Sequence, residues 1–219
     1  DLPGCGFSQR PTISLGMPGY TQFVAQWVDH VRQVLTSGKN RRLILLGHSM
    51  GGHLCINSLY RYRFGPDEST EPGLRESLAR VEQLVLLAPD GLKGEEGSLA
   101  LLKTRGIMTS WLSVDGERRY TESHKNMGYA DVSRCPPQIP AIGWAALSYK
   151  DGMRVLEDIT LDTLATDPVN ERLQYINLPT LLVWGKEDRI LNFVWSETWA
   201  HDLPQVRFEA IPDCGHVLQ

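Results

Sequence analysis

The first long hydrophobic pattern of the chain has the period of an α-helix. From Tyr20 onwards, apolar residues stand at positions 20, 23, 24, 27, 28, 31, 34 and 35. Spacings of three and four residues place these side chains on one helix face, so the pattern predicts an amphipathic helix over Tyr20–Leu35. Gly38 follows shortly afterwards and suits a helix end.

Four short apolar runs have the composition of buried β-strands. They are Leu43–Leu46, Leu84–Ala88, Leu181–Trp184 and Val206–Ile211. Leu54–Phe64 and Phe193–Leu203 are predicted helices, and the polar residues 66–75 are predicted to form an exposed loop. Strands that alternate with helices are typical of parallel sheets, so we expect an α/β fold in which helices flank a mostly parallel sheet.

Residues 92–170 contain no strand-like run. Two helical patches, Leu99–Leu112 and Ile142–Ile159, lie on either side of a proline-rich joint at 135–137. We interpret 92–170 as a helical cap inserted over the sheet. Residues 1–91 and 171–219 are then the first and second parts of one core, for which 219 residues are sufficient.

Composition and charge exclude several functional classes. The formal net charge is −4 without any block of like charges, so we expect no nucleic-acid partner. The chain has no apolar run of transmembrane length and no signal peptide, and we expect a cytoplasmic location, although it begins at Asp1 rather than Met. Four scattered cysteines lack zinc-ligand spacing, so we expect reduced thiols and no metal site; they are Cys5, Cys55, Cys135 and Cys214.

The segment GHSMGG at 47–52 stands between a predicted strand and a predicted helix. A serine at such a turn is held in a strained backbone conformation that projects its hydroxyl above the sheet, which makes Ser49 the candidate nucleophile. We expect the flanking glycines to be required because the turn leaves no room for side chains. The Met50 N–H at the helix start is expected to bind an oxyanion. The alternative is a glycine-rich turn with an exposed serine.

A histidine and a carboxylate follow later strands. His216 lies in the loop after the last strand, where catalytic residues of open α/β sheets gather, and is the candidate base. Asp188 follows the third strand and is the candidate acid, which would fix the tautomer of the histidine. Asp90 is the alternative acid and Glu187 a weaker one, and an ordinary turn or helix-cap role is the alternative for Asp188.

Four segments together resemble the α/β-hydrolase superfamily. DLPGCGFS at 1–8 is similar to the family's D-x-P-G-x-G-x-S segment, GHSMGG to its nucleophile elbow, WGKED at 184–188 to its acid turn and DCGH at 213–216 to its histidine loop. In that family further strands, one of them central in the sheet, precede the first segment, and a helix follows the histidine. We therefore expect a fragment with two exposed sheet edges and little activity of its own.

The resemblance implies a serine hydrolase that cleaves a small-molecule carboxylic ester through an acyl-enzyme, without a cofactor. Ser49 would attack the carbonyl, His216 would transfer protons and Asp188 would orient His216. The alternatives are a prolyl-iminopeptidase-like amidase, a carbon–carbon bond hydrolase and, from another class, a non-catalytic binding protein of the same fold. Candidates for an acyl pocket, or for the cap's own core, are Trp111, Trp144, Met108, Met153, Ile107 and Leu147. The oligomeric state stays open.

Overall fold

The centre of the molecule is a parallel β-sheet. A computed structural model describes residues 1–12, 15–35, 42–66, 71–95, 106–163 and 166–218. In these ranges the sheet has four strands in chain order, and each runs parallel to its neighbour. They are β1 (Leu43–His48), β2 (Val81–Leu87), β3 (Thr180–Gly185) and β4 (Val206–Ile211). Each predicted strand overlaps an observed one, and the predicted α/β class is confirmed.

Four α-helices lie in the described residues of the part of the chain that builds the sheet. They are α1 (Gly16–Leu35), α2 (Met50–Leu59), which continues as a π-helical turn, α3 (Pro72–Ala79) and α8 (Trp195–Asp202). The helices α2 and α3 each pack against α1, whereas α8 packs on β3 and β4. The prediction of a loop over 66–75 is wrong from Pro72 onwards, where α3 begins. Proline is compatible with the first turn of a helix, because backbone N–H groups there have no partner within the helix.

The main core lies between the sheet and these helices. Its largest fully buried side chains include Trp184 and Trp199, and the indole N–H of Trp184 donates to Leu191 O at 3.1 Å. Other members are Ile56, Leu59, Leu78, Leu84, Leu86 and Leu182. Burial of such side chains typically contributes about 1.5–3 kcal/mol each.

Strand β1 forms one edge of the sheet in the described ranges. Its burial alternates, and Ile44 and Leu46 are 61% and 59% exposed, whereas Leu45 is buried. The prediction of a fully buried strand over Leu43–Leu46 is therefore wrong for two residues, because described residues cover only one face of β1. An open groove of about 300 Å³ follows this edge and is lined by Phe23, Trp27, Leu46 and Gly51, among others.

The described chain between β2 and β3 contains helices but no strand. They are α4 (Ile107–Leu112), α5 (Gly116–Gly128), α6 (Gln138–Ser148) and α7 (Gly152–Thr163). The prediction for Leu99–Leu112 falls partly outside the described residues. The predicted helix Ile142–Ile159 is instead divided between α6 and α7 by a turn in which Lys150 has a positive φ of 46°.

Helix α5 was not predicted. Its sequence, GERRYTESHKNMG, is mostly polar and contains no apolar run, although its less polar side chains recur with the helical period. None of the helices in the described ranges combines the length and the apolar character that a bilayer-spanning segment requires.

The N-terminal segment packs on α1 and the region between β2 and β3. The Tyr20 hydroxyl donates to Pro3 O at 3.0 Å, and Arg10 donates to Ala146 O of α6 at 2.7 Å. Gly6 has a φ of 53°, and a Cβ there would lie 2.3 Å from the Asp1 carboxylate. Gly6 therefore adopts a conformation that favours glycine, in a turn that lies against the first residue of the chain.

Candidate active site

Ser49 lies in a strained turn between β1 and α2. Its φ and ψ are 53° and −126°, a region that non-glycine residues rarely adopt and that typically costs about 1–3 kcal/mol. The end of β2 holds the turn, since Ser49 N donates to Leu87 O at 3.0 Å and Asp90 N donates to Ser49 O at 3.2 Å. The turn therefore has the expected backbone strain and is supported by long-range hydrogen bonds.

Two of the three flanking glycines occupy positions without room for a side chain. A Cβ on Gly47 would lie 2.5 Å from Gly51 O, and one on Gly52 would lie 2.5 Å from the Pro89 side chain. No described atom lies within 4 Å of a Cβ built on Gly51, which lines the open groove. The prediction that all flanking glycines are sterically required is therefore wrong for Gly51.

The start of α2 directly follows Ser49. The N–H groups of Gly52 and His53 turn back to Ser49 O, at 2.8 and 3.4 Å. The N–H groups of Met50 and Gly51 precede them in the first turn, where an α-helix has no internal acceptors and carries its positive dipole end. This is the part of the helix at which negative charge is stabilised.

His216 and Asp188 meet at the carboxyl ends of β4 and β3. The His216 Nδ1 atom lies 2.8 Å from Asp188 Oδ2, and both side chains are buried. The other oxygen, Oδ1, accepts the N–H groups of Ile190 and Leu191, each at 2.8 Å. Since an ionised carboxylate only accepts, the His216 proton lies on Nδ1, and Nε2 of the neutral ring is left as an acceptor.

The two alternative acids form contacts elsewhere. Asp90 Oδ1 lies 3.1 Å from His53 Nδ1, and Glu187 Oε2 accepts the Cys214 N–H at 3.0 Å. Of the three carboxylates considered from the sequence, Asp188 is therefore the one hydrogen-bonded to His216.

His48 is a site residue that the sequence analysis did not select. It is the last residue of β1, and its Nε2 atom lies 2.9 Å from His216 O. Burial lowers the pKa of His48, as does the neighbouring His216. A histidine directly before the candidate serine is the signal in the sequence, but no local pattern shows that it contacts residue 216.

The carboxyl end of α5 contacts the loops that carry the candidate acid and base. Val217 N donates to Gly128 O at 2.9 Å, and Arg189 donates to Asn126 O at 2.8 Å. A Cβ on Gly215 would lie 2.6 Å from Gly128 O, so the contact depends on a glycine. The helix that sequence periodicity missed is therefore the one that touches both loops.

The apolar residues proposed for a pocket differ in burial. Trp111 and Ile107 are 45% and 39% exposed. Trp144 packs on the ring of Tyr120, with 6.1 Å between the ring centroids, as part of the contact between α5 and α6. Met108, Leu147 and Met153 are half-buried. Trp144 thus contributes to packing between helices, the second of the two predicted roles.

The described residues contain no cluster of three or more His, Cys, Asp and Glu side chains that could hold a metal ion. The four cysteines are all free thiols. Burial raises the pKa of the Cys55 thiol to about 12.

Comparison with known proteins places this arrangement in a family. A profile of the alpha/beta hydrolase family matches residues 1–219. The chain belongs to the alpha/beta hydrolase family. The match includes the turn at Ser49 and the strand ends that carry Asp188 and His216.

Individual alpha/beta hydrolases are similar at low identity. The chain is 23% identical over 236 residues to cis-3-alkyl-4-alkyloxetan-2-one decarboxylase of Shewanella oneidensis, covering 100% of this chain and 67% of the relative. It is 27% identical over 234 residues to 2-hydroxymuconate semialdehyde hydrolase of Pseudomonas putida, covering 100% and 69%. A thermophilic esterase from Thermogutta terrifontis, solved with malate, has a TM-score of 0.71 at 20% identity and covers 99% and 71%.

The chain thus spans about two thirds of the length of these two curated relatives. Esterases and lipases among the similar proteins, together with the family match, support a hydrolytic enzyme. The identities are too low to carry a substrate over to this chain.

Proposed function

We propose that this chain carries the active site of a serine hydrolase that cleaves a carboxylic ester through an acyl-enzyme intermediate. The observation that carries the proposal is the buried hydrogen bond of 2.8 Å between Asp188 and His216. It lies at the carboxyl ends of the strands, the end of the sheet at which β1 leads into Ser49. A histidine oriented by a carboxylate, at the same end of the sheet as a serine in a strained turn, is the set of groups that activates a hydroxyl.

The reaction would proceed in two halves. In the first, Nε2 of His216 takes the Ser49 proton while Oγ bonds to the ester carbonyl carbon. The Met50 N–H donates to the oxyanion that forms, and Asp188 stabilises the imidazolium. The carbon–oxygen bond to the alcohol then breaks, and the alcohol leaves with the proton from His216.

The second half releases the acyl group. A water molecule gives one proton to Nε2 of His216, and its oxygen bonds to the carbonyl carbon of the acyl-enzyme. The bond to Ser49 then breaks, and the proton returns from His216 to Oγ. The products are a carboxylic acid and the original enzyme, with every proton transferred through one imidazole.

Cleavage of a carbon–carbon bond next to a carbonyl is the second candidate. It is favoured by similarity over the full chain to 2-hydroxymuconate semialdehyde hydrolase, a protein that its name describes as a hydrolase of a semialdehyde. The same serine, histidine and aspartate would serve either reaction, so the substrate distinguishes the two. Amide cleavage and ligand binding without turnover are the remaining outcomes.

Fluorophosphonate labelling read by intact mass tests the proposal. The wild-type chain is compared with Ser49→Ala and with Ser148→Ala, a matched control at an exposed serine of α6. We expect a single adduct on the wild type and on Ser148→Ala, and none on Ser49→Ala. A wild-type chain that is folded by circular dichroism but takes no adduct would contradict the proposal and favour a binding protein.

A substrate panel then separates the reactions. It contains p-nitrophenyl esters of short and medium acyl chains, a proline p-nitroanilide and a 2-hydroxy-6-oxo dienoate. We expect Ser49-dependent turnover of the esters to exceed that of the other two. Preferential cleavage of the dienoate would replace the ester assignment with carbon–carbon hydrolysis.

A further inference from the structure

The side chain of His48 joins the strand that leads into Ser49 to the loop that carries His216. Its Nε2 atom lies 2.9 Å from His216 O, across 168 residues of sequence. A carbonyl oxygen only accepts, so Nε2 is the donor and carries the proton. The two imidazole rings also pack together, with 4.7 Å between their centroids and an angle of 41° between their planes.

We propose that His48 is a positioning residue, which holds the main chain of His216 and so sets the distance between its imidazole and Ser49. The inference rests on the proposed function. In the proposed mechanism His48 does not touch the reacting atoms. It acts through His216, and its position one residue before Ser49 links the serine to the base directly.

Three of the hydrogen bonds of this loop are formed by residues 216 and 217 themselves. Asp188 binds the Nδ1 atom, Gly128 O accepts the N–H of Val217, and His48 donates to the His216 carbonyl. The first comes from the loop after β3 and the second from α5. The bond from His48 is the one of these three that originates in β1, the strand that leads into the serine.

The charge state of His48 suits this donor role. Burial is the largest cause that lowers its pKa, and His216 lowers it further, while the hydrogen bond to His216 O and the charges of Asp188 and Asp90 oppose the shift. The neutral ring retains one N–H, which the carbonyl uses. A neutral His48 also adds no positive charge beside His216 when that ring becomes an imidazolium during the reaction.

Two substitutions separate the donor from the packing. His48→Phe keeps an aromatic ring but has no N–H, whereas His48→Gln keeps an amide N–H at a similar reach. Because misplacement of a reacting group by 1 Å can cost about 10²-fold in rate, we expect His48→Phe to lower kcat about 10- to 100-fold with KM nearly unchanged. His48→Gln should recover most of kcat. His201→Phe, at an exposed histidine of α8, is the matched control and should behave as the wild type.

A second readout does not depend on turnover. The downfield proton resonance of His216 Nδ1 reports its bond to Asp188, and we expect it to broaden or move in His48→Phe and to be retained in His48→Gln. Wild-type kcat or an unchanged resonance in a folded His48→Phe would overturn the inference, as would a His48→Gln variant as impaired as His48→Phe. If His48→Phe does not fold, His48→Asn, whose amide is too short to reach the carbonyl, replaces it. Absence of Ser49-dependent turnover in the wild type contradicts the proposed function, whereas the resonance still tests the positioning role.

Discussion

His53 and Asp90 form a second histidine–carboxylate pair, with 3.1 Å between Nδ1 and Oδ1, one helical turn after Ser49. The His53 ring is buried, and its Nε2 atom lies 3.0 Å from Asp167 O in the segment that follows α7. Asn57, one turn further along α2, donates to the same carbonyl at 3.2 Å. The pair therefore ties α2 to the returning chain, and Asp90 is directed to His53 rather than to His216.

The two aspartates should differ in their effect on catalysis. Replacement of the Asp188 carboxylate by an amide favours the wrong tautomer of His216, so we expect Asp188→Asn to lower kcat by about 10³- to 10⁴-fold. Asp90→Asn is the matched control and should lower kcat less than about tenfold, since Asp90 contacts His53. Kinetics on the preferred ester measure both. A loss in Asp90→Asn that equals the loss in Asp188→Asn would show that the acid is misassigned.

His53 should matter for stability. His53→Ala removes the partner of a carboxylate and of a carbonyl in a buried site, so we expect the free energy of unfolding to fall by about 2–3 kcal/mol. His201→Ala, at a histidine that is 88% exposed, should change it by less than about 0.5 kcal/mol. Urea unfolding followed by tryptophan fluorescence provides both values. Equal free energies of unfolding for the two variants would mean that the His53 contacts do not stabilise the fold.

Substitution by alanine should destabilise the protein to different extents at the glycines around Ser49. In Gly47→Ala the new Cβ would lie 2.5 Å from the Gly51 carbonyl oxygen, and since backbone must move, we expect a loss of about 1–3 kcal/mol. In Gly51→Ala the methyl enters open space within α2, and stability should stay within about 1 kcal/mol of the wild type. Thermal unfolding ranks the two variants. The reverse order would contradict the described turn.

Cys55 should make the protein less stable at alkaline pH. Burial raises the pKa of its thiol from 9.0 to about 12. Between these values the unfolded chain loses the thiol proton while the folded chain keeps it, so the free energy of unfolding falls as pH rises from 9 towards 12. The full difference amounts to about 4 kcal/mol.

Cys55→Ala removes this contribution. Urea unfolding under reducing conditions at pH 8, 9 and 10 should show a shallower decline for the variant than for the wild type. The test compares how steeply the free energy of unfolding falls with pH. The cavity left by the smaller side chain lowers that free energy equally at every pH and so does not change the slope. Parallel declines would show that Cys55 does not carry the alkaline sensitivity.

The order of elements and the candidate chemistry could be predicted from the sequence. Apolar runs and the helical period of residues 20–35 reflect local preferences, and they predicted the alternation of strands and helices that forms the sheet. The turn at Ser49 was also predictable, because glycines such as Gly47 are needed where a helix begins directly on a strand. Helix α5 was missed because its sequence is mostly polar and contains no apolar run, although its less polar residues recur with the helical period.

Only the tertiary structure decided how these parts meet. Both Asp90 and Asp188 follow strands, and the sequence favoured Asp188 through the resemblance of WGKED to a family segment rather than through any contact; the hydrogen bond to His216, across 28 residues, separates the two physically. The contact from His48 to the carbonyl of residue 216 and the open space at Gly51 are likewise invisible in a local pattern. The physical reason is that local sequence sets backbone conformation, whereas hydrogen-bond partners and side-chain room depend on elements that the fold brings together from distant parts of the chain.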